Sequence, residues 1–290
     1  MAEVGLVRFA QEALDVAQAT VPRYRTPFSK HQFTQPQLLA ILCLMRYEDW
    51  TYREAEVRLA EHSELRRALR LRSVPDYTTL YRFLRRLDEA AITNALNEVV
   101  RRMALPGPRR RAQVAVDATG LAHGAVSTFF VRRMHHHTQQ PLPWRHWLKW
   151  LIVADLKRQL ILAQSARQAP WNDCANLPAL VTQAHAHTPI GCVLADAEFD
   201  SERNHSFIRQ QLHALSIIPA KRGKKTWTLH GVRAQMRADF PRNKYCRRAL
   251  IETVFSVAKR KLSCRAPGRS LLTQRRQALL LGLTYNLYRL

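Results

Sequence analysis

The sequence is short of carboxylates for its cations, has no closely paired cysteines and has no long apolar run. No stretch approaches the roughly 18–20 apolar residues that span a bilayer, which argues against a membrane-spanning helix. The opening MAEVGLVRFAQEALDVAQ reads as an amphipathic helix rather than a charged segment followed by an apolar core, so no secretory signal is expected. The five cysteines (Cys43, Cys174, Cys192, Cys246 and Cys264) are scattered, and no C-x-x-C pair occurs. That pattern disfavours a structural zinc site and predicts reduced, mostly buried thiols in a cytosol. Neither an internal repeat nor a low-complexity segment is visible. The largest shortage is of acid: 22 Asp plus Glu stand against 46 Lys plus Arg, a formal net charge of +24. A field this positive favours a polyanionic partner, and nucleic acid is the leading candidate. The cations are not gathered beside an apolar anchor, as binding to an acidic membrane surface would need.

What is present suffices for a sizeable core: 290 residues, 47% of them hydrophobic, make room for one large domain and a small one. Residues 1–104 are helical in pattern. QPQLLAILCLMRYEDW has helical apolar spacing, and Thr51 with Glu54 forms a capping-box signature. A short helix is expected near 63–70, then one longer helix over YTTLYRFLRRLDEAAITNALNEVVRRM, capped by Asp76 or Thr78. LPGPRRR, residues 105–111, reads as a linker. Beyond it the texture changes. AQVAVDATG is a buried strand, KWLIVADLKRQLILAQSA two strands around a tight turn, DCANLPALVTQAHAH a helix, GCVLADAEFD a strand and SIIPAKR a short strand. Two helices, YCRRALIETVFSVAKRKL and TQRRQALLLGLTYNLYRL, close the chain. The order predicts an α/β domain over 105–290, a mixed sheet with helices on its faces, after an all-helical region over 1–104.

Three carboxylates stand out. Asp117 lies inside the apolar run VAVDATG and Asp196 at the end of CVLADAEF. A charge inside an apolar strand is costly unless it is paired or holds a metal; capping the turn that follows is the plainer alternative for both. Asp155 and Asp200 read as structural, the first at a hairpin turn and the second as a helix cap, a role that either Asp200 or Ser201 could fill. Glu252 is marked by its neighbours. At about 100° per residue, Tyr245, Arg248, Glu252 and Lys259 fall within an arc of roughly 60° on one helix face. Leu250, Ile251, Val254, Val257 and Ala258 fall on the other, and Arg247 fits neither side well. A solvated face with intrahelical ion pairs would look the same. In-line displacement at phosphorus needs such a set: two hard divalent cations held by carboxylates from separate elements, with cations nearby to grip the phosphodiester.

At this point the residues resemble a known family. YCRRALIETVFSVAK fits Tyr-x2-Arg-x3-Glu-x6-Lys at every specified position, the signature of insertion-sequence transposases of families four and five. VAVDATG, WLKWLIVAD and LADAEFDS are similar to that family's first-Asp strand, second strand and second-Asp block, and the resemblance covers roughly residues 30–290. It implies an RNase H-like core with Asp117, Asp196 and Glu252 as a metal-binding catalytic triad using magnesium or manganese. It also implies Tyr245, Arg248 and Lys259 on DNA phosphates, with terminal inverted repeats and target DNA as partners. A homodimer when synapsed on DNA and a cytoplasmic, nucleoid-associated, prokaryotic protein are expected alongside. Only 55 residues separate Asp196 from Glu252, which implies a compact core without the β-rich insertion of some relatives. Glu198 and Phe199 depart from the small residue and Tyr common there; Phe keeps the ring and loses a hydroxyl. A DNA-binding relative that no longer cuts, and a nuclease on the same fold without strand transfer, are the alternatives.

Further DNA contacts are expected from Tyr77, Thr78, Thr79, Arg82, Arg85 and Arg86 as one side of a helix-turn-helix-like module, against a merely solvated basic helix. Lys221, Arg222, Lys224 and Lys225 form a charged loop suited to DNA backbone. Arg145 and Lys149 beside Trp144, Trp147 and Trp150 suit stacking on unpaired bases, unless those rings are core. His135, His136 and His137, near Arg132 and Arg133, read as a DNA-facing loop more than a metal tract.

Overall fold

The computed structural model describes residues 4–28, 30–103, 111–122, 148–168, 173–221, 229–263, 265–268 and 270–290. Six helices come first: α1 (Leu6–Thr20), α2 (Gln35–Glu48), α3 (Tyr52–Glu61), α4 (Ser63–Ala68), α5 (Tyr77–Arg86) and α6 (Glu89–Arg102). Two open on capping boxes, Thr34 with Gln37 for α2 and Thr51 with Glu54 for α3. The single long helix expected after Asp76 is two. Asp76 caps α5 and Asp88 caps α6, its carboxylate accepting from the Ala90 amide, while Leu87 between them is extended and buried. An Asp side chain that competes for the backbone donors of the next turn, together with a Leu drawn into the core, stops one helix and starts another. The linker expected at 105–111 lies almost wholly outside the described residues.

The remainder alternates: β1 (Ala112–Leu121), β2 (Leu148–Asp155), β3 (Leu160–Gln168), α7 (Leu177–His185), β4 (Ile190–Ala195), α8 (Glu202–Ser206), β5 (Leu215–Ile217), α9 (Gly231–Ala238), α10 (Arg242–Tyr245), α11 (Leu250–Lys261) and α12 (Leu271–Arg289). The five strands form one sheet in the order β3-β2-β1-β4-β5. β1–β2 and β2–β3 are antiparallel, whereas β1–β4 and β4–β5 are parallel. This is the RNase H-like mixed sheet. As expected, Asp155 makes the β2–β3 turn, its Oδ1 accepting from the amides of Lys157 at 2.8 Å and Arg158 at 3.1 Å.

The two faces of the sheet pack differently. Val114, Val116, Leu151 and Val153 meet α7, whereas Ala115, Trp150, Ile152 and Ala154 share a core with α11, α12 and the N-terminal helices. Helix α12 is buried along most of its length and joins the two regions. Its Asn286 satisfies both backbone groups of Ile161 on the edge strand β3, at 3.0 and 2.8 Å. Buried Arg46 of α2 donates to the Ser263 carbonyl at 3.0 Å, and Arg276 of α12 donates to the Leu84 carbonyl at 3.0 Å, at the end of α5. No helix among the described residues is long and apolar enough to cross a membrane. The four described cysteines are free thiols, but only Cys43 is buried; Cys246 is exposed because it falls on a surface turn before α11.

Close packing sets one tolerance sharply. Gly282 of α12 faces the Gln164 amide group of β3, which itself accepts from the Trp150 indole at 3.0 Å and donates to the Leu279 carbonyl at 2.9 Å. A methyl at position 282 would overlap that amide and break a fully satisfied buried chain. Gly282→Ala is therefore expected to cost about 1–3 kcal/mol, in the range of overpacked cores. Denaturant melts should show a lower midpoint without a change of slope; an unchanged midpoint would mean Gln164 relocates freely.

Candidate active site

Parallel pairing of β1 with β4 matches Val116 to Ala195, so the next residues, Asp117 within β1 and Asp196 just past the end of β4, lie side by side. Ala115 and Leu194 belong to the core beneath α11, and strand alternation turns both aspartates toward that helix. Asp117 accepts from the Ala118 amide at 2.9 Å and from the Arg248 guanidinium at 2.9 Å. Asp196 accepts from the Glu198 amide at 2.8 Å and caps the turn Ala197–Phe199, so the capping reading holds for one of its oxygens. Burial pushes the pKa of both carboxyls upward, and the charge of Asp196 adds to the effect on Asp117. Backbone donors and Arg248 offset only part of this.

Arg248 stands between carboxylates. Besides Asp117, it lies 4.0 Å from Glu252 and 5.8 Å from the Tyr245 ring centroid. Burial works against its charge, but Asp117, Tyr245 and Asp196 outweigh it and hold the guanidinium more firmly protonated. Burial also raises the Tyr245 hydroxyl, with Arg248 acting the other way. The Arg248 and Asp117 side chains are 20% and 18% exposed, whereas Glu252 is 67% exposed, so the pair is sheltered and the glutamate faces outward. Lys259 lies two turns beyond Glu252 on α11 and is exposed.

The expected single helix from Tyr245 to Lys259 is instead three pieces. Tyr245 ends α10, Arg248 sits in the 3-10 turn Cys246–Ala249, and Glu252 and Lys259 belong to α11. A 3-10 turn advances about 120° per residue and not about 100°, so the predicted face does not run unbroken. Leu250, placed with the packed side by the helical arc, is 40% exposed for this reason, while Ile251, Val254, Phe255 and Ala258 are buried. Arg248 and Glu252 still meet, being one turn apart.

The basic residues of α5 keep an open side: Leu80, Phe83 and Leu84 are buried, and Arg82, Arg85 and Arg86 are exposed. Thr78 is engaged at the helix start, its amide and hydroxyl both bonded to Asp76, and Thr79 is half-buried. Lys149 on β2 is held by Asp173 and by Glu198 at 3.2 Å. These two carboxylates overcome burial to strengthen its protonation. Lys221 donates from its amide to Asp200 at 2.8 Å and from its ammonium to the Glu198 carbonyl at 3.3 Å. Trp150 is core, edge-to-face with Phe255 at 5.8 Å. Arg222, Lys224, Lys225, Arg132, Arg133, His135, His136, His137, Arg145, Trp144, Trp147 and Cys264 lie outside the described residues.

Of the two caps expected for the helix after Asp196, Ser201 is the one used, and Asp200 is not a cap. Ser201 caps α8, accepting from the Asn204 amide at 3.1 Å, and Asp200 is buried instead. It accepts a forked pair from Arg233 at 3.0 and 2.8 Å, tying the segment after Asp196 to α9. Two capping residues in succession were the available signal, since one helix start uses only one of them.

A model of the transposase DDE domain family matches residues 108–287. Among solved structures, a piggyBac transposase synaptic complex with hairpin DNA aligns at a TM-score of 0.48 and 9% identity, over 96% of this chain and 71% of that chain. No curated protein matches the chain. The family match spans well over half of the chain, which therefore belongs to the transposase DDE domain family and is a DNA-cleaving and joining enzyme.

Proposed function

We propose that the chain cleaves and rejoins transposon ends at a site built on Asp117, Asp196 and Glu252. One observation carries this reading: two aspartates lie side by side on adjacent parallel strands, one within β1 and one at the end of β4, beneath the turn and helix that bring Arg248 and Glu252. Half-buried carboxylates side by side are costly without a cation, and here Arg248 supplies one to Asp117. Their hard oxygens suit a divalent ion such as magnesium or manganese. Among the described residues no three His, Cys, Asp or Glu side chains are already gathered as a metal-ligand group. Asp117 and Asp196 would thus hold the ions, with Glu252 the third ligand once Arg248 turns aside. Bound there, two ions would activate water or a DNA 3′ hydroxyl and stabilise the leaving oxygen.

The chain's own cations do the positioning. Arg248 would exchange the Asp117 carboxylate for a phosphate oxygen, a charge-assisted bond of the same kind. Tyr245 packs beside it, and Lys259 extends the grip along α11. The exposed Arg82, Arg85 and Arg86 of α5, with Thr78, Thr79, Lys149, Lys221, Arg222, Lys224 and Lys225, would bind flanking duplex. This makes residues 1–104 a DNA-binding region and 105–290 the catalytic domain, acting as a homodimer on paired inverted repeats in a prokaryotic cytoplasm. The test uses duplexes bearing the inverted repeats that flank its reading frame, with free 3′ hydroxyls, target plasmid and manganese. Joined product supports the reading. Cutting without joining indicates a nuclease, and retention without cutting indicates an inactive binder.

A further inference from the structure

A second cationic feature lies at the other end of β1. A cleft of about 330 Å³ opens where the start of β1, the β2–β3 turn and the start of α11 meet. Arg111, Lys157, Arg158 and Arg247 line it, against the single carboxylate of Asp155. Asp155 is already committed to the turn amides and to Arg158 at 3.5 Å. Arg111 and Arg247 are held by neutral oxygens, the His213 carbonyl at 2.7 Å and the Gln113 side chain at 3.2 Å. Such bonds orient a guanidinium without neutralising it, and each leaves several N–H donors free. Exposed Leu250 supplies an apolar patch on the same wall.

The cleft and the aspartate pair are joined by one turn of chain. Consecutive Arg247 and Arg248 point to Gln113 and Asp117, two residues on the same face of β1. Gln113 lies about 13 Å from Asp117 along the strand, at about 3.3 Å per residue, and Arg111, just before the strand, lies up to about 20 Å away. With duplex phosphates about 3.4 Å apart along the axis on each strand, that span corresponds to roughly four to six base pairs.

We infer that this cleft is a second phosphate-binding site, which holds the backbone of the same duplex whose reacting phosphate lies at Asp117. The inference rests on the DNA-end reading above. It also accounts for Arg247, which has no place in the packed and polar sides of the motif helix. Arg158 contributes charge but is tied to buried Asp155, so it is left intact in the test.

The experiment measures anisotropy of a labelled 30-base-pair random-sequence duplex between 50 and 200 mM KCl, in EDTA. Wild type is compared with the Arg111→Gln, Lys157→Gln, Arg247→Gln triple variant. Each phosphate that is no longer neutralised should lower the salt slope by about 0.9, so the triple variant should drop by about 2–3. Across that fourfold salt range, each such phosphate makes the fall in affinity about 3.5-fold smaller. An unchanged slope and affinity in a variant with wild-type circular dichroism overturns the second site. Should the triple variant melt early, Lys157→Gln alone serves, because Lys157 is exposed at the turn; a drop near 0.9 supports the cleft and no drop rejects it. A wild type with no salt-dependent binding would instead bring down the DNA-end reading itself.

Discussion

Asp117→Asn, Asp196→Asn and Glu252→Gln are each expected to stay folded and to retain terminal DNA on a gel, yet to lose cleavage and strand transfer. The loss should reach roughly 10²–10³-fold or more, the scale of removing a group that stabilises transition-state charge. Shape is preserved in each, so the change tests charge alone. For Glu252 the contrast is sharpest. It is exposed and 4.0 Å from Arg248, and an intrahelical pair of that kind would contribute only about 0.3–0.5 kcal/mol. Near wild-type cutting by Glu252→Gln would reduce it to such a surface pair. Stability should move the other way at Asp196. Its folded pKa lies above the ordinary value of 3.8, with burial as the main cause, so the folded protein holds a proton where the unfolded chain has released it. The contribution of this group to stability therefore falls as pH rises from about 4 through its folded value. In EDTA, Asp196→Asn should melt higher than wild type at pH 7, by a few degrees at most, with the gap closing toward pH 4. A lower melting point at pH 7 would show that the Asp196 charge is favourable in the metal-free fold.

Arg248→Ala should separate the two proposed roles of the guanidinium. In the metal-free protein it is the cation paired with Asp117, and both side chains are mostly sheltered. Removing it leaves that carboxylate without a charge partner, at a cost on the order of 2 kcal/mol, between the values of exposed and buried pairs. The same removal clears a competitor from Asp117. Manganese at about a hundredfold over its dissociation constant would stabilise a binding protein by about 2.7 kcal/mol. For a chain of this size that is about 4 °C in melting temperature. Arg248→Ala should need less manganese than wild type to reach its full shift. Asp117→Asn, lacking the ligand, should show little shift. On DNA the variant should lose a charge-assisted phosphate bond of about 1.5–3 kcal/mol, or roughly ten- to a hundredfold in affinity for a cut end. If neither the manganese midpoint nor the DNA affinity moves, Arg248 is only a structural partner of Asp117.

Much of the candidate site was legible in the sequence. Asp117 and Asp196 announced themselves as charges in apolar strands, because alternation and apolar run length are properties of the local chain. The Asp155 turn, the Thr51–Glu54 capping box and the extent of each strand along the chain are local in the same sense, since each involves residues a few positions apart. The pairing of distant elements was beyond such signals. Only the parallel match of β1 with β4 brings Asp117 beside Asp196, and only the path of the 3-10 turn before α11 sets Arg248 on Asp117. The 3-10 turn before α11 changes the angular step, which turns Arg247 toward Gln113 and exposes Leu250. Asp200 is buried because Arg233, 33 residues away, arrives to pair with it. Local sequence thus determined which residues are charged where the chain is apolar. Tertiary structure decided which opposite charge meets each of them, because the cost of burying an ion depends on a partner that chain folding alone brings near.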